Sequence, residues 1–262
     1  MKMNIGLSSA SFYPEVNTED SIKLMTEIGF NSGEIFLNTP SEYEEDFINR
    51  LIEETQKYNF KVYSIHSCSS QYEPFIFDKY KRRRDDMLKY YRKLCRAAKL
   101  LGANCYTFHG MRFDNFNKMD KNFIADVYNE LTYISMEEGI KLAQENVSWC
   151  MSANLEFIKF LNESVKYPLY YTLDIKQAYK AFIEPEKYIE VMGRNIANFH
   201  VNDRDEKHIC MLPGEGTVDY KKIVSKLEGM EYDGMAIIEV YRENYTNYVE
   251  LCEARSFLTH FL

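Results

Sequence analysis

Eight short apolar runs alternate with longer amphipathic stretches along this chain of 262 residues, and no Gly/Pro-rich seam interrupts them. The runs fall at residues 3–7, 33–37, 61–65, 104–108, 140–144, 169–173, 196–199 and 234–238. Helical patterning falls between them, at 19–28, 43–58, 83–101, 122–138, 154–163, 185–192, 219–227 and 245–261. In the longest helical stretch, Met87, Leu88, Tyr91, Leu94, Cys95, Ala98 and Leu101 recur at three- and four-residue spacing, the stripe of a helix facing a sheet. Strand and helix in strict alternation demand a parallel sheet, and eight units in a chain near ~250 residues predict one closed (β/α)8 TIM barrel, an α/β fold over residues 1–262. An open doubly wound sheet would carry G-x-G-x-x-G after its first strand. None stands there, and Gly214 and Gly216 belong to a PGEG loop.

The polar residues that close these runs carry the chemistry. The third to eighth runs end in His66, His109, Glu145, Asp174, His200 and Glu239, each about one β/α unit from the next. In a barrel of this kind the C-terminal strand ends face one another around one mouth, where active sites are built. Three carboxylates crowded there repel unless they are protonated or neutralised by a cation. A divalent metal is the economical answer, with His200 as nitrogen ligand. A metal-free hydrogen-bonded cluster is the other arrangement these residues allow. Three carboxylates and one imidazole form a hard donor set, which favours one Mn²⁺, Mg²⁺ or Co²⁺ and leaves Zn²⁺ open.

Composition narrows the partners. With 32 Lys/Arg against 40 Asp/Glu, the formal net charge is −8, and a surface that grips nucleic acid needs a basic footprint instead. The one basic run, KYKRRR at 79–84, is followed at once by Asp85 and Asp86 and reads as solvated helix surface. Six scattered cysteines without a C-x-x-C read as reduced thiols. The first residues lack a secretory core, and no window is apolar enough for a span. These features predict a soluble cytoplasmic protein acting on a small molecule, with neither nucleic acid nor membrane as partner.

The segments SIH at 64–66, LGANCYTFHG at 101–110, KLAQENVSW at 141–149, YTLDIKQA at 171–178, NFHVND at 198–203, PGEGTVDY at 213–220 and YDGMAIIEV at 232–240 carry a resemblance over the whole length. They resemble the xylose-isomerase-like barrel superfamily, which holds sugar-phosphate isomerase/epimerases, ketose 3-epimerases, inosose dehydratases and endonuclease IV. Carried over position by position, the resemblance implies a metal site at Glu145, Asp174, His200 and Glu239. It also implies that Glu145 and Glu239 are the catalytic acid/base pair. One would remove a carbon-bound proton to give a cis-enediolate, and the other would return it to the opposite face. Return to the adjacent carbon would give aldose–ketose isomerisation instead.

One departure bears on the reaction. The family's D-x-x-H after the sixth strand reads Asp174-Ile175-Lys176-Gln177 here, and the companion D-x-H reads Glu206-Lys207-His208. A trinuclear zinc site is thereby impaired, because an amide is a poor metal ligand. A mononuclear site with His66 and His109 in the pocket is intact. The expected activity is that of a divalent-metal-dependent isomerase or epimerase of a small sugar or sugar phosphate. The rivals are an apurinic-site nuclease of the endonuclease IV type and an inosose-type cyclitol dehydratase. Expected substrate contacts are His66, His109, Gln177, Asn146, Trp149, Lys207 and His208, with Lys207 and Arg204 available to an anionic group. Glu34 is expected to face the pocket, Phe12 and Tyr13 to seal it or to pack under a loop, and a homo-oligomer is allowed.

Overall fold

The structure, a computed structural model, describes residues 3–262. Strands β1 (Ile5–Ser8), β2 (Ser32–Leu37), β3 (Lys61–Ser67), β4 (Cys105–Phe108), β5 (Lys141–Glu145), β6 (Tyr170–Asp174), β7 (Ile196–Val201) and β8 (Ala236–Ile238) lie in chain order in a closed barrel. Every neighbouring pair is parallel, and β8 closes on β1 with Ile5 opposite Ala236. The fold is the expected (β/α)8 barrel.

Ten helices are described: α1 (Thr18–Glu27), α2 (Glu45–Tyr58), α3 (Glu73–Ile76), α4 (Lys81–Leu100), α5 (Lys121–Glu138), α6 (Leu155–Ser164), α7 (Ile175–Lys180), α8 (Pro185–Met192), α9 (Tyr220–Gly229) and α10 (Val249–Leu258). On α4 the stripe Leu88, Tyr91, Leu94, Cys95 and Ala98 is buried, and α5 starts on an Asp120 cap and stops at left-handed Gly139. The short α3 and α7 are not visible as periodicity, since four and six residues cannot display a stripe. The last helix is shorter than its apolar pattern suggests. The Glu250 carboxylate takes the backbone N–H groups of Thr246 and Asn247, which holds those residues in a turn.

Two irregularities decide which side chains enter the barrel. Pairing jumps from Gly33↔Val62 to Glu34↔Ser64, and from Tyr171↔Ile196 to Thr172↔Asn198. The extra residues, Tyr63 and Ala197, are bulged, so two successive residues can face the lumen. Tyr63 and Ala197 join Cys105, Ala143, Met235 and Ile237 in an apolar floor, where the Tyr63 hydroxyl donates to the Ala197 carbonyl at 2.7 Å. After the bulges, the alternation sends Ser64 and His66, and Asn198 and His200, inward above that floor. No described helix is long and apolar enough to cross a membrane.

Candidate active site

All six strand-end residues gather at the C-terminal mouth. Glu145, Asp174, His200, Glu239 and His66 are buried, and His109 is half-buried. A cavity of about 380 Å³ opens there, lined by His66, His109, Glu145, Lys176, Gln177 and Glu239 among others. The more exposed rings of Tyr13, Trp149 and Tyr241 line it as well. Asp174 and His200 lie behind this lining, whereas both glutamates belong to it.

Beneath the mouth, Glu34 organises a polar layer. Its carboxylate, fully buried, accepts from Ser8 at 3.1 Å, Ser64 at 2.7 Å, Thr107 at 3.2 Å and Asn198 at 3.1 Å. It also lies 3.1 Å from His200 Nε2. A ring nitrogen that donates downward to a carboxylate leaves the other nitrogen's orientation fixed, as in metal-bound histidines. That other nitrogen, His200 Nδ1, lies 3.4 Å from Glu145 Oε1, 3.3 Å from Glu239 Oε2 and 3.7 Å from Asp174 Oδ2.

The four residues fit a divalent ion. One donor atom from each of Glu145, Asp174, His200 and Glu239 can be chosen so that all lie within 4.8 Å of one another. Asp174 Oδ2 and His200 Nδ1 are buried without a hydrogen bond, which a native interior tolerates only for a reason. His66, His109 and Glu145 form a second such group, and Glu34, His66 and Glu239 a third.

Burial and neighbouring charges pull against each other at every one of these groups. Burial pushes the Glu239 carboxyl up, but the Lys176 ammonium and His200 outweigh it and hold Glu239 well below the usual carboxylate range. Burial acts on Glu145 in the same sense and is outweighed by His109 and His200. At Asp174 burial prevails over Lys176 and the carboxyl is raised. His200 is raised well above an ordinary imidazole, because Glu34 and Glu239 outweigh its own burial.

Each glutamate has its own imidazole. His109 Nε2 lies 2.8 Å from Glu145 Oε2, and His66 Nδ1 lies 3.5 Å from Glu239 Oε1. The two rings meet at 2.8 Å between their Nε2 atoms. His109 is aimed from outside the barrel: Ser69 Oγ sits 2.5 Å from its Nδ1, and buried Glu73 accepts the backbone N–H groups of His109 and Gly110, each at 2.8 Å. Tyr106 and Tyr72 hydroxyls complete the Glu73 shell.

Of the other expected contacts, Gln177 and Trp149 reach the cavity. Gln177 Oε1 is occupied by the Ser148 N–H and hydroxyl at 3.0 and 2.9 Å, and Trp149 stands edge-on to His109 at 5.6 Å. Asn146 does not line the cavity. Its amide exchanges hydrogen bonds of 2.7 and 3.0 Å with the Asp174 backbone and so ties β5 to β6. Lys207 and His208 are exposed and outside the cavity, a correction to their expected place. Asp205 holds their backbone N–H groups at 2.7 and 2.6 Å and turns the loop outward. Arg204 is likewise drawn away, stacking over Tyr179 at 3.9 Å. Phe12 is core, whereas Tyr13 is on the mouth. The basic run is spent on surface pairs such as Arg83–Asp78 and Lys81–Asp85.

Two residues were missed in the sequence. Lys176 is buried with Nζ 3.1 Å from Glu239 Oε2 and 3.5 Å from Asp174 Oδ2. Glu73 is equally buried. The signal for Lys176 was its place two residues after a strand-end aspartate; Glu73, before Pro74, offered none beyond a helix start.

A family model described as xylose isomerase-like TIM barrel matches residues 22–258. An uncharacterized protein of Methanocaldococcus jannaschii is 25% identical over 258 residues, which is 91% of this chain and 84% of that protein. Inosose dehydratase of Glaesserella parasuis is 28% identical over 157 residues, about half of each chain (49% and 50%). Among solved structures, a D-tagatose 3-epimerase-like protein superposes with a TM-score of 0.79 at 21% identity, covering 99% of this chain and 97% of its own. Sequence match, barrel topology and the strand-end cluster agree: the chain belongs to the xylose isomerase-like TIM barrel family.

Proposed function

We propose that this protein is a divalent-metal-dependent isomerase or epimerase of a small sugar or sugar phosphate, with Glu145 and Glu239 as its acid/base pair. The observation that carries the reading is that these two glutamates both line the cavity and flank His200 Nδ1 from different strands, at 3.4 and 3.3 Å. They can therefore hold an ion and touch a substrate, while Asp174 and His200 serve the ion alone. Its likeness to a D-tagatose 3-epimerase-like structure supports the same class.

Glu145, Asp174, His200 and Glu239 would hold the ion, which when bound polarises a substrate carbonyl and the hydroxyl beside it. Glu145 and Glu239, both held as carboxylates by neighbouring cations, are ready to accept a carbon-bound proton from opposite walls. The cis-enediolate so formed is quenched on its other face by a proton that the opposite glutamate first takes from its imidazole partner, while the first glutamate hands its new proton to its own imidazole. His109 beside Glu145 and His66 beside Glu239 are placed to hold or pass the proton, and the contact between the rings joins the two arms. Trp149, Tyr13 and Tyr241 restrict water at the mouth. A cytoplasmic location is part of the proposal, in keeping with the free buried thiols of Cys95, Cys105, Cys150 and Cys210.

The nuclease reading would need metal ligands at positions 177 and 208, yet Gln177 is committed to Ser148 and His208 stands outside the cavity. A screen of free and phosphorylated ketoses, run with Mn²⁺ and with chelator, tests the proposal. Metal-dependent conversion of a ketose is expected. Dehydration of an inosose, or cleavage of abasic duplex DNA, in place of ketose conversion would replace it.

A further inference from the structure

Lys176 brings a fixed positive charge to two of the oxygens that a metal ion would use. It follows Asp174 by two residues, in the first turn of α7, and its side chain is 3% exposed. Its Nζ lies 3.1 Å from Glu239 Oε2 and 3.5 Å from Asp174 Oδ2. The first of these is the oxygen nearest His200 Nδ1 on its wall, at 3.3 Å, and the second is the Asp174 oxygen that lies 3.7 Å from the same nitrogen. A hard divalent ion bound by carboxylates sits only ~2.0–2.6 Å from its oxygens. It would thus take both of Lys176's anionic partners and stand close to the ammonium in a medium that screens poorly. Glu145, on the other wall, has no such tethered ammonium; its neighbours are the imidazoles of His109 and His200.

We propose that Lys176 is a tethered internal cation that competes with the divalent ion for Asp174 and Glu239 and so sets a weak, exchangeable ion affinity. The inference rests on the metal-dependent reading above. A displaced ammonium has a place to go. Lys176 lines the cavity and already lies 4.8 Å from the Tyr241 ring, whose hydroxyl is steadied by Lys180 at 3.0 Å. A cation resting on an aromatic face keeps part of its stabilisation after its carboxylates are taken.

The experiment is Mn²⁺ titration of the full chain, freed of metal by chelator, read by the electron paramagnetic resonance of unbound Mn²⁺. It compares the wild type with Lys176→Met, Lys176→Gln and Lys176→Arg. Removing the charge should tighten Mn²⁺ binding about tenfold in the Met and Gln variants, while Arg stays near the wild type. Unchanged or weaker binding in Met and Gln overturns the inference, as does equal tightening in Arg, which would make bulk rather than charge the cause. Saturable binding by the wild type without tightening in the variants leaves the metal reading standing and removes only this inference. No saturable binding by any of the four proteins overturns both. A structure of the wild type with Mn²⁺ gives an answer that needs no variant. Nζ must have left at least one of the two carboxylates, and Nζ still paired with both overturns the competition.

Discussion

Glu34 shows how a residue that never meets substrate can govern those that do. It holds His200 from below and gathers four hydroxyl or amide donors around its own buried charge. Removing one partner of a buried, hydrogen-bonded pair leaves the rest uncompensated, so Glu34→Ala should cost about 3 kcal/mol in urea unfolding. A loss near zero would show that the layer repacks freely. Glu34, Glu145 and Glu239 are all held below the ordinary 4.5 of a glutamate. Their contribution to stability is therefore complete above that value and is lost as pH falls through the lowered ones. His200, raised above its ordinary 6.5, contributes in the mirror sense, fully below that value and less as pH climbs past the raised one. The urea midpoint of chelated protein should therefore drop as pH falls below about 4.5 towards the lowered values, and Glu34→Gln should flatten that drop. A slope the same in both proteins would contradict the role given to Glu34. The strand-end residues were legible one by one because each closes an apolar run. Lys176 stands out in the sequence only as a lysine two residues after a strand-end aspartate, which does not tell which way the first turn of a six-residue helix points it.

At the level of elements, the eight strands were legible because the apolar runs are short, evenly spaced and separated by helical periodicity. Their bulges were not. Tyr63 and Ala197 look like ordinary members of apolar runs, and only pairing with β2 and β6 reveals the extra residue. Gly33 marks where β1 and β2 press together: a Cβ there would stand 2.1 Å from the Leu7 carbonyl oxygen. Backbone cannot yield as a side chain does, so Gly33→Ala should destabilise by about 3 kcal/mol, checked by the same unfolding measurement. The segment between β3 and α4 carries no helical periodicity in the sequence, yet α3 delivers Glu73 to the backbone of His109 and Gly110. Glu73→Ala leaves two buried N–H groups unpaired and should cost about 2 kcal/mol. It should also shift the imidazole resonances of His109 in proton NMR; unshifted resonances would mean that Ser69 alone aims the ring.

The whole barrel does what no element can, by bringing residues from six strands to one mouth. That convergence followed from the sequence once eight units were counted, because closure leaves the strand ends nowhere else to go. The loops escaped the same logic. Asp205 folds Lys207 and His208 away through local hydrogen bonds that compete with any contact to the cavity. Ion binding should be felt by the entire fold. Mn²⁺ at a hundredfold excess over its dissociation constant should add about 2.7 kcal/mol, which raises the melting temperature of a domain this size by roughly 5–10 °C. Asp174→Asn should abolish most of that rise in a thermal scan. The central claim is that one of Glu145 and Glu239 removes a carbon-bound proton and the other returns a proton drawn from exchangeable groups. The direct measurement is incorporation of solvent deuterium at the carbons flanking the carbonyl of whichever ketose the protein converts. Wild type should incorporate it, and Glu145→Gln and Glu239→Gln should each lose turnover together with incorporation. Turnover retained in both variants, or turnover without any incorporation, would contradict the account.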